Sequence, residues 1–126
     1  MTEQITRVFI CEMDSEKSLS QKLYLEASDF DVEIIKTGRE LTLKNFNLSD
    51  VILLEMRVEN KICFDVLNRI AKLETRPHLL LTTLGSEIFE PTDLLGNCLI
   101  KVLLEPFLPS ELASTLSSFT RRPMAN

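Results

Sequence analysis

The chain has 126 residues, a formal net charge of −5 and 44% hydrophobic residues, the size and composition of one ordinary domain with its own core and no room for a second. The acidic balance argues against sequence-independent nucleic-acid binding, which needs Lys and Arg to displace counterions from phosphates. No apolar run approaches the roughly 20 residues of a membrane span, and Met1-Thr2-Glu3-Gln4 has neither the basic nor the apolar region of a signal peptide, so a cytoplasmic chain is expected.

In chain order, the first strand is expected at Val8–Cys11, an apolar run that ends abruptly in Glu12-Met13-Asp14. Asp14 or Ser15 can cap a first helix, whose apolar face the four-residue spacing of Leu19, Leu23 and Ala27 predicts to point inward. Val32–Ile35 reads as a second strand, and Gly38 can begin a short second helix through Phe46. The third strand, Val51–Leu54, is followed at once by Glu55, so a carboxylate is expected at the end of a buried strand. Val66, Ile70 and Leu73 mark a third helix, ended by Pro77 before a fourth strand at Leu79–Leu81 with Thr82.

Pro91 inside Ser86–Leu95 makes a regular fourth helix improbable, so a short or irregular one is expected. Leu99–Leu104 around Lys101 is the fifth strand. Leu112, Leu116 and Phe119 mark the last helix, with Pro109 in its first turn and Leu108, a poor capping residue, in the cap slot. The domain is expected over 1–120, with 121–126 as a tail.

Short continuous apolar strands suit a parallel sheet covered on both faces, and their alternation with helices implies right-handed crossovers. Ligands of such sheets bind beyond the carboxyl ends of the strands. Glu12, Asp14 and Glu55 are therefore expected to share one edge.

Other residue types carry less. Cys11, Cys63 and Cys98 form no CxxC or Cys/His cluster, so reduced structural thiols are expected; Cys63, read as lying in a polar loop, is the one that could be reactive. His78 at a strand start does not fit an exposed phosphotransfer histidine. Arg69, Lys72 and Arg76 read as a solvated face or a small basic patch, and the three glycines are too scattered for a phosphate loop.

Four segments, in order, resemble the receiver domain of bacterial two-component response regulators, from about Arg7 to Phe119. Arg7–Asp14 resembles the first strand with its acidic pair, and Asp50–Glu55 the strand ending in the phosphoacceptor aspartate. Pro77–Thr82 resembles the fourth strand with its switch hydroxyl, and Val102-Leu103-Leu104-Glu105-Pro106-Phe107 the fifth, which in the family ends Lys-Pro-Phe. The resemblance implies a flavodoxin-like, CheY-like (βα)5 fold with a parallel sheet of order 2-1-3-4-5. It also implies phosphoryl transfer from a histidine kinase onto aspartate with Mg²⁺, in which carboxylates hold the metal and Lys and Thr donors complete the cradle.

Position by position, this chain departs from that chemistry. Glu55 stands at the nucleophile position, where one extra methylene displaces the carboxylate by about a C–C bond and misaligns in-line attack. Glu12 keeps half of the acidic pair and Met13 loses the other half. Glu105 reverses the charge of the lysine position, Val102 replaces the switch aromatic, and Thr82 alone is unchanged. Two unit charges at about 4 Å repel by about 4 kcal/mol at an effective dielectric of 20. A pocket of Glu12, Glu55 and Glu105 would thus oppose a phosphoryl dianion and favour a cation or a raised carboxylate pKa.

The expectation is a degenerate pseudo-receiver: not an enzyme, weak or absent in Mg²⁺ binding, and active through a protein partner or a homodimer. The family's contact face, made by the fourth helix, fifth strand and fifth helix, would carry Phe89 and Leu94 as apolar contacts or bury them under the loop. Glu55 is either a built-in mimic of the phosphorylated state, a ligand for another cation, or a relic. The alternatives in another class are a phosphoaccepting receiver with an unusual site, using Glu55 or Asp14, and the N-terminal input domain of a longer regulator with a DNA-binding or cyclase output.

Overall fold

The computed structural model describes residues 5–12, 14–57, 62–84 and 100–120. Met13, Cys98, the Ser86–Leu95 segment with Phe89 and Leu94, and the 121–126 tail lie outside the described residues. Five strands and four helices follow in the order β1 (Arg7–Cys11), α1 (Ser15–Ala27), β2 (Asp31–Ile35), α2 (Gly38–Thr42), β3 (Val51–Glu55), α3 (Ile62–Ile70), β4 (His78–Thr83), β5 (Ile100–Leu104) and α4 (Pro109–Thr120) among the described residues. All strands are parallel, in the order β2-β1-β3-β4-β5. The five expected strands and the expected topology are all present.

Alternate residues along the strands build two cores, as they must in a sheet buried on both faces. Phe9, Cys11, Ile52, Leu54, Leu79 and Leu81 pack with Val66, Leu67 and Ile70 of α3, and with Leu41 and Phe46 from and after α2. On the other face Val8, Ile10, Val51, Leu53 and Leu80 pack with Leu25 of α1 and with Leu112, Leu116 and Phe119 of α4. The expected inward stripes of α3 and α4 are therefore real. Helix α2 stops at Thr42, earlier than Phe46, and Phe46 instead meets Phe9 edge-on at 4.9 Å.

Helix α1 corrects the sequence reading. Leu19 and Leu23 are 51% and 59% exposed, and the buried residues are Ser18 and Leu25. At 100° per residue, Lys17 and Leu19 point about 200° apart. A rotation that turns Lys17 and Leu25 toward the sheet must send Leu19 and Leu23 to solvent. Asp14 caps the helix by accepting from the amides of Glu16 and Lys17, as expected. Asp29, beyond its C-terminus, takes the left-handed conformation at φ 70°, which an Asp tolerates better than most residues.

At the amino ends of the strands Arg7 grips buried Asp50 through Nε at 3.0 Å and Nη2 at 2.6 Å, while Asp50 also accepts from the Asn47 amide at 2.7 Å. Cys63 is not in a loop: it sits in the first turn of α3, buried, with Sγ 3.8 Å from the Arg57 carbonyl oxygen. Cys11 is fully buried, and burial pushes its thiol far above the ordinary range, so it behaves as a small hydrophobe. Arg69 pairs with Asp65 at 2.9 Å one turn away, and Arg76 donates to the Ala71 carbonyl at 2.9 Å, as side chains of an ordinary solvated face do.

Candidate functional site

The register decides which residues meet at the carboxyl ends of the strands. Glu55 on β3 pairs with Thr82 on β4, and Thr83 pairs with Leu104 on β5. The ladder runs one step further, because the Met56 amide donates to the Thr82 carbonyl at 2.7 Å and the Glu105 amide to the Thr83 carbonyl at 2.6 Å. Cys11 lies level with Leu54, both facing α3, so Glu12 and Glu55 fall on the opposite face, toward α1. Glu12, Glu55 and Thr82 are all buried. Residues far apart in sequence are thus delivered to one edge by topology alone.

The three glutamates do not form one triad. Glu12 accepts a hydrogen bond from the Asp14 amide through Oε1 at 3.0 Å, tucking its carboxylate against the entry to α1. Glu55 and Glu105 form the pair. Two cations, which the sequence reading did not pick out, reach both of them. Lys17 of α1 donates to Glu55 Oε2 and lies 3.4 Å from Glu105 Oε1. Arg57, two residues beyond Glu55, places Nε 3.4 Å from an oxygen of each carboxylate. Burial, then the hydrogen bond and charge of Glu55, raise the Glu105 pKa from its ordinary value, and Lys17 and Arg57 only partly offset that. The charge of the Glu55–Glu105 pair is thus met by the chain's own Lys17 and Arg57, and the Glu105 carboxyl is shifted upward.

With both carboxylates paired, the pocket as it stands does not suit a divalent ion. Both paired carboxylates are already engaged by ammonium and guanidinium groups, and the described residues hold no group of three or more His, Cys, Asp and Glu placed to take a metal. Val102 is half exposed on β5, where the resemblance implies an aromatic switch, and so is Leu104.

At the opposite end, His78 stacks on Phe119 with ring centres 5.3 Å apart, and the Lys101 ammonium sits 4.9 Å over the same ring. Lys101 also donates to the Ser118 hydroxyl. His78 Nδ1 is buried without a hydrogen-bond partner, and burial followed by Lys101 lowers the His78 pKa. His78 thus belongs to the packing of α4, remote from the carboxyl ends.

No protein-family model matches the sequence, and no curated protein matches it either. The fold does match solved structures. A response regulator receiver domain protein from Bacillus halodurans aligns over 95% of this chain and 99% of its own at 20% identity, with a TM-score of 0.71. A response regulator from Colwellia psychrerythraea aligns over 93% and 98% at 20% identity with a TM-score of 0.75. A CheY-like receiver domain protein from Methanospirillum hungatei aligns over 90% and 93% at 19% identity with a TM-score of 0.73. The five-stranded order, the doubly wound cores and these likenesses together give the chain the fold of the response-regulator receiver domains.

Proposed function

We propose that this chain is a receiver-like regulatory domain that works through protein contacts and does not accept a phosphoryl group. The observation that carries the reading is the pairing of Glu55 with Lys17 and Arg57 while Glu105 stands at the lysine position. A nucleophile must present an available carboxylate oxygen in line with the phosphorus. Glu55 is set back by a methylene and already held by two cations. With the charge at position 105 reversed, no cation from β5 is there to stabilise the transferring oxygens.

The partner is a protein or a second copy of the chain, met through the face of β5 and its flanking segments. Exposed Val102 and Leu104, two residues apart on the edge strand β5, support that choice as apolar surface open to a partner. Phe89 and Leu94 lie outside the described residues.

Incubation with acetyl phosphate and Mg²⁺ followed by intact mass measurement tests the reading. Unchanged mass is expected. A gain of one phosphoryl group, lost in Glu55→Ala, would overturn it and install the phosphoacceptor alternative.

A further inference from the structure

The receiver fold brings with it the expectation of a divalent cation at the carboxyl ends of the strands, and here the residues disagree with it. Lys17 and Arg57 converge on Glu55 and Glu105 from α1 and from just beyond β3, and each cation touches both carboxylates. The four groups form a closed ring in which two positive charges meet two negative ones. Of the other acids described at this edge, Glu12 accepts from the Asp14 amide and Asp14 caps α1.

We infer that Lys17 and Arg57 are the resident cations of this pocket, covalently tethered in the place a divalent ion would take, and that they keep such an ion out. The inference deepens the reading of the pocket as one without phosphoryl chemistry, and concerns the cation alone. Its physical basis is competition. A free ion binding Glu55 and Glu105 must displace two groups held nearby by the chain itself, which act at high effective concentration and give up little freedom on pairing. Mg²⁺-like ions also keep several waters and need only one or two carboxylates, so the Glu55–Glu105 pair is a sufficient donor set once the tethered cations are gone. The side chains are also placed for exclusion: Glu55 and Glu105 are largely covered, while Lys17 and Arg57 are about one-third exposed and form the solvent side of the ring.

Mn²⁺ titration of the full chain near neutral pH, read by the electron paramagnetic resonance signal of the free ion, tests this. Wild type is expected to leave the ion free. Lys17→Met combined with Arg57→Met is expected to bind Mn²⁺ on the order of 100-fold more tightly, and adding Glu55→Gln is expected to abolish that binding. Arg57→Gln alone, which keeps the Lys17–Glu55 pair and so guards against loss of folding in the double variant, is expected to fall between. Wild type binding Mn²⁺ as tightly as the double variant overturns the inference, and so does a folded double variant that leaves the ion free. A wild-type chain that binds Mn²⁺ yet gains no mass with acetyl phosphate removes this inference and leaves the functional reading standing. Mass gain without wild-type Mn²⁺ binding does the reverse.

Discussion

Glu105 gathers the competing effects of this pocket on one side chain. Burial and the neighbouring Glu55 raise its pKa above the ordinary 4.5, and Lys17 and Arg57 pull the other way without prevailing. A carboxyl whose folded-state pKa is raised favours the fold while protonated. Its contribution is complete below pH 4.5 and is lost as pH rises through the raised value. Glu105→Gln keeps a neutral group of the same shape and should abolish that loss. Urea melts across this window should give a flatter stability profile for the variant than for wild type, and identical profiles would contradict the assignment. The same geometry bears on Glu55. A carboxylate gripped by Lys17 and Arg57 is locally neutralised and lacks the outward dianionic charge of a phosphoryl group, which weighs against a built-in mimic of phosphorylation. The positions of Glu55, Glu105 and Thr82 were legible in the sequence because strands end in order. Lys17 and Arg57 were not, since Lys17 lies 38 and 88 residues from its two partners. The rule that buried charges are paired could have prompted a search for them.

Among the elements, α1 shows where pattern and packing part ways. Leu19 and Leu23 repeat at the spacing of an inward stripe, yet Leu25 is the fully buried leucine, and the helix rotation that packs it in the core also turns Lys17 to the strand ends. Tertiary packing around Leu25 and Ser18 has here overridden an apolar periodicity, which single-helix patterning does not register. Leu25→Ala should cost about 2–4 kcal/mol, as truncation in a packed core does. Leu19→Ala and Leu23→Ala should each stay within about 0.5 kcal/mol in dilute solution. Denaturant midpoints of the three variants decide it, and equal losses would restore the sequence-based face. Helices α3 and α4 needed no such correction, because periodicity alone placed their apolar stripes on the two cores.

Across the whole molecule, the two ends of the sheet respond to protons in opposite senses. The carboxyl ends hold Glu105, whose folded pKa is raised, and the amino end of β4 holds His78, whose folded pKa is lowered below 6.5 by burial and then by Lys101. For His78 the sign reverses: its contribution is present above pH 6.5 and is lost as pH falls through the lowered value. His78→Phe keeps the stack on Phe119, removes the unpartnered Nδ1 and should stabilise the fold by about 1 kcal/mol. It should also flatten the acid side of the stability profile, and a variant that melts lower than wild type with the same acid limb would refute this. The five parallel strands were legible as short apolar runs separated by helical spacings, whereas their order, β2-β1-β3-β4-β5, was implied only by the receiver resemblance.

The closed ring of Lys17, Glu55, Arg57 and Glu105 also constrains what sequence change can do to this pocket. Glu105→Lys alone would set three cations against the one carboxylate of Glu55. Glu55→Asp alone would draw one carboxylate back by about a C–C bond and leave Lys17 spanning a gap. Each single step toward a phosphoacceptor is therefore penalised in the background of the other three, so conversion of this pocket is epistatic and requires changes on α1, β3 and the end of β5 together. A site locked in this way resists piecemeal substitution whether or not its charges are read by any partner.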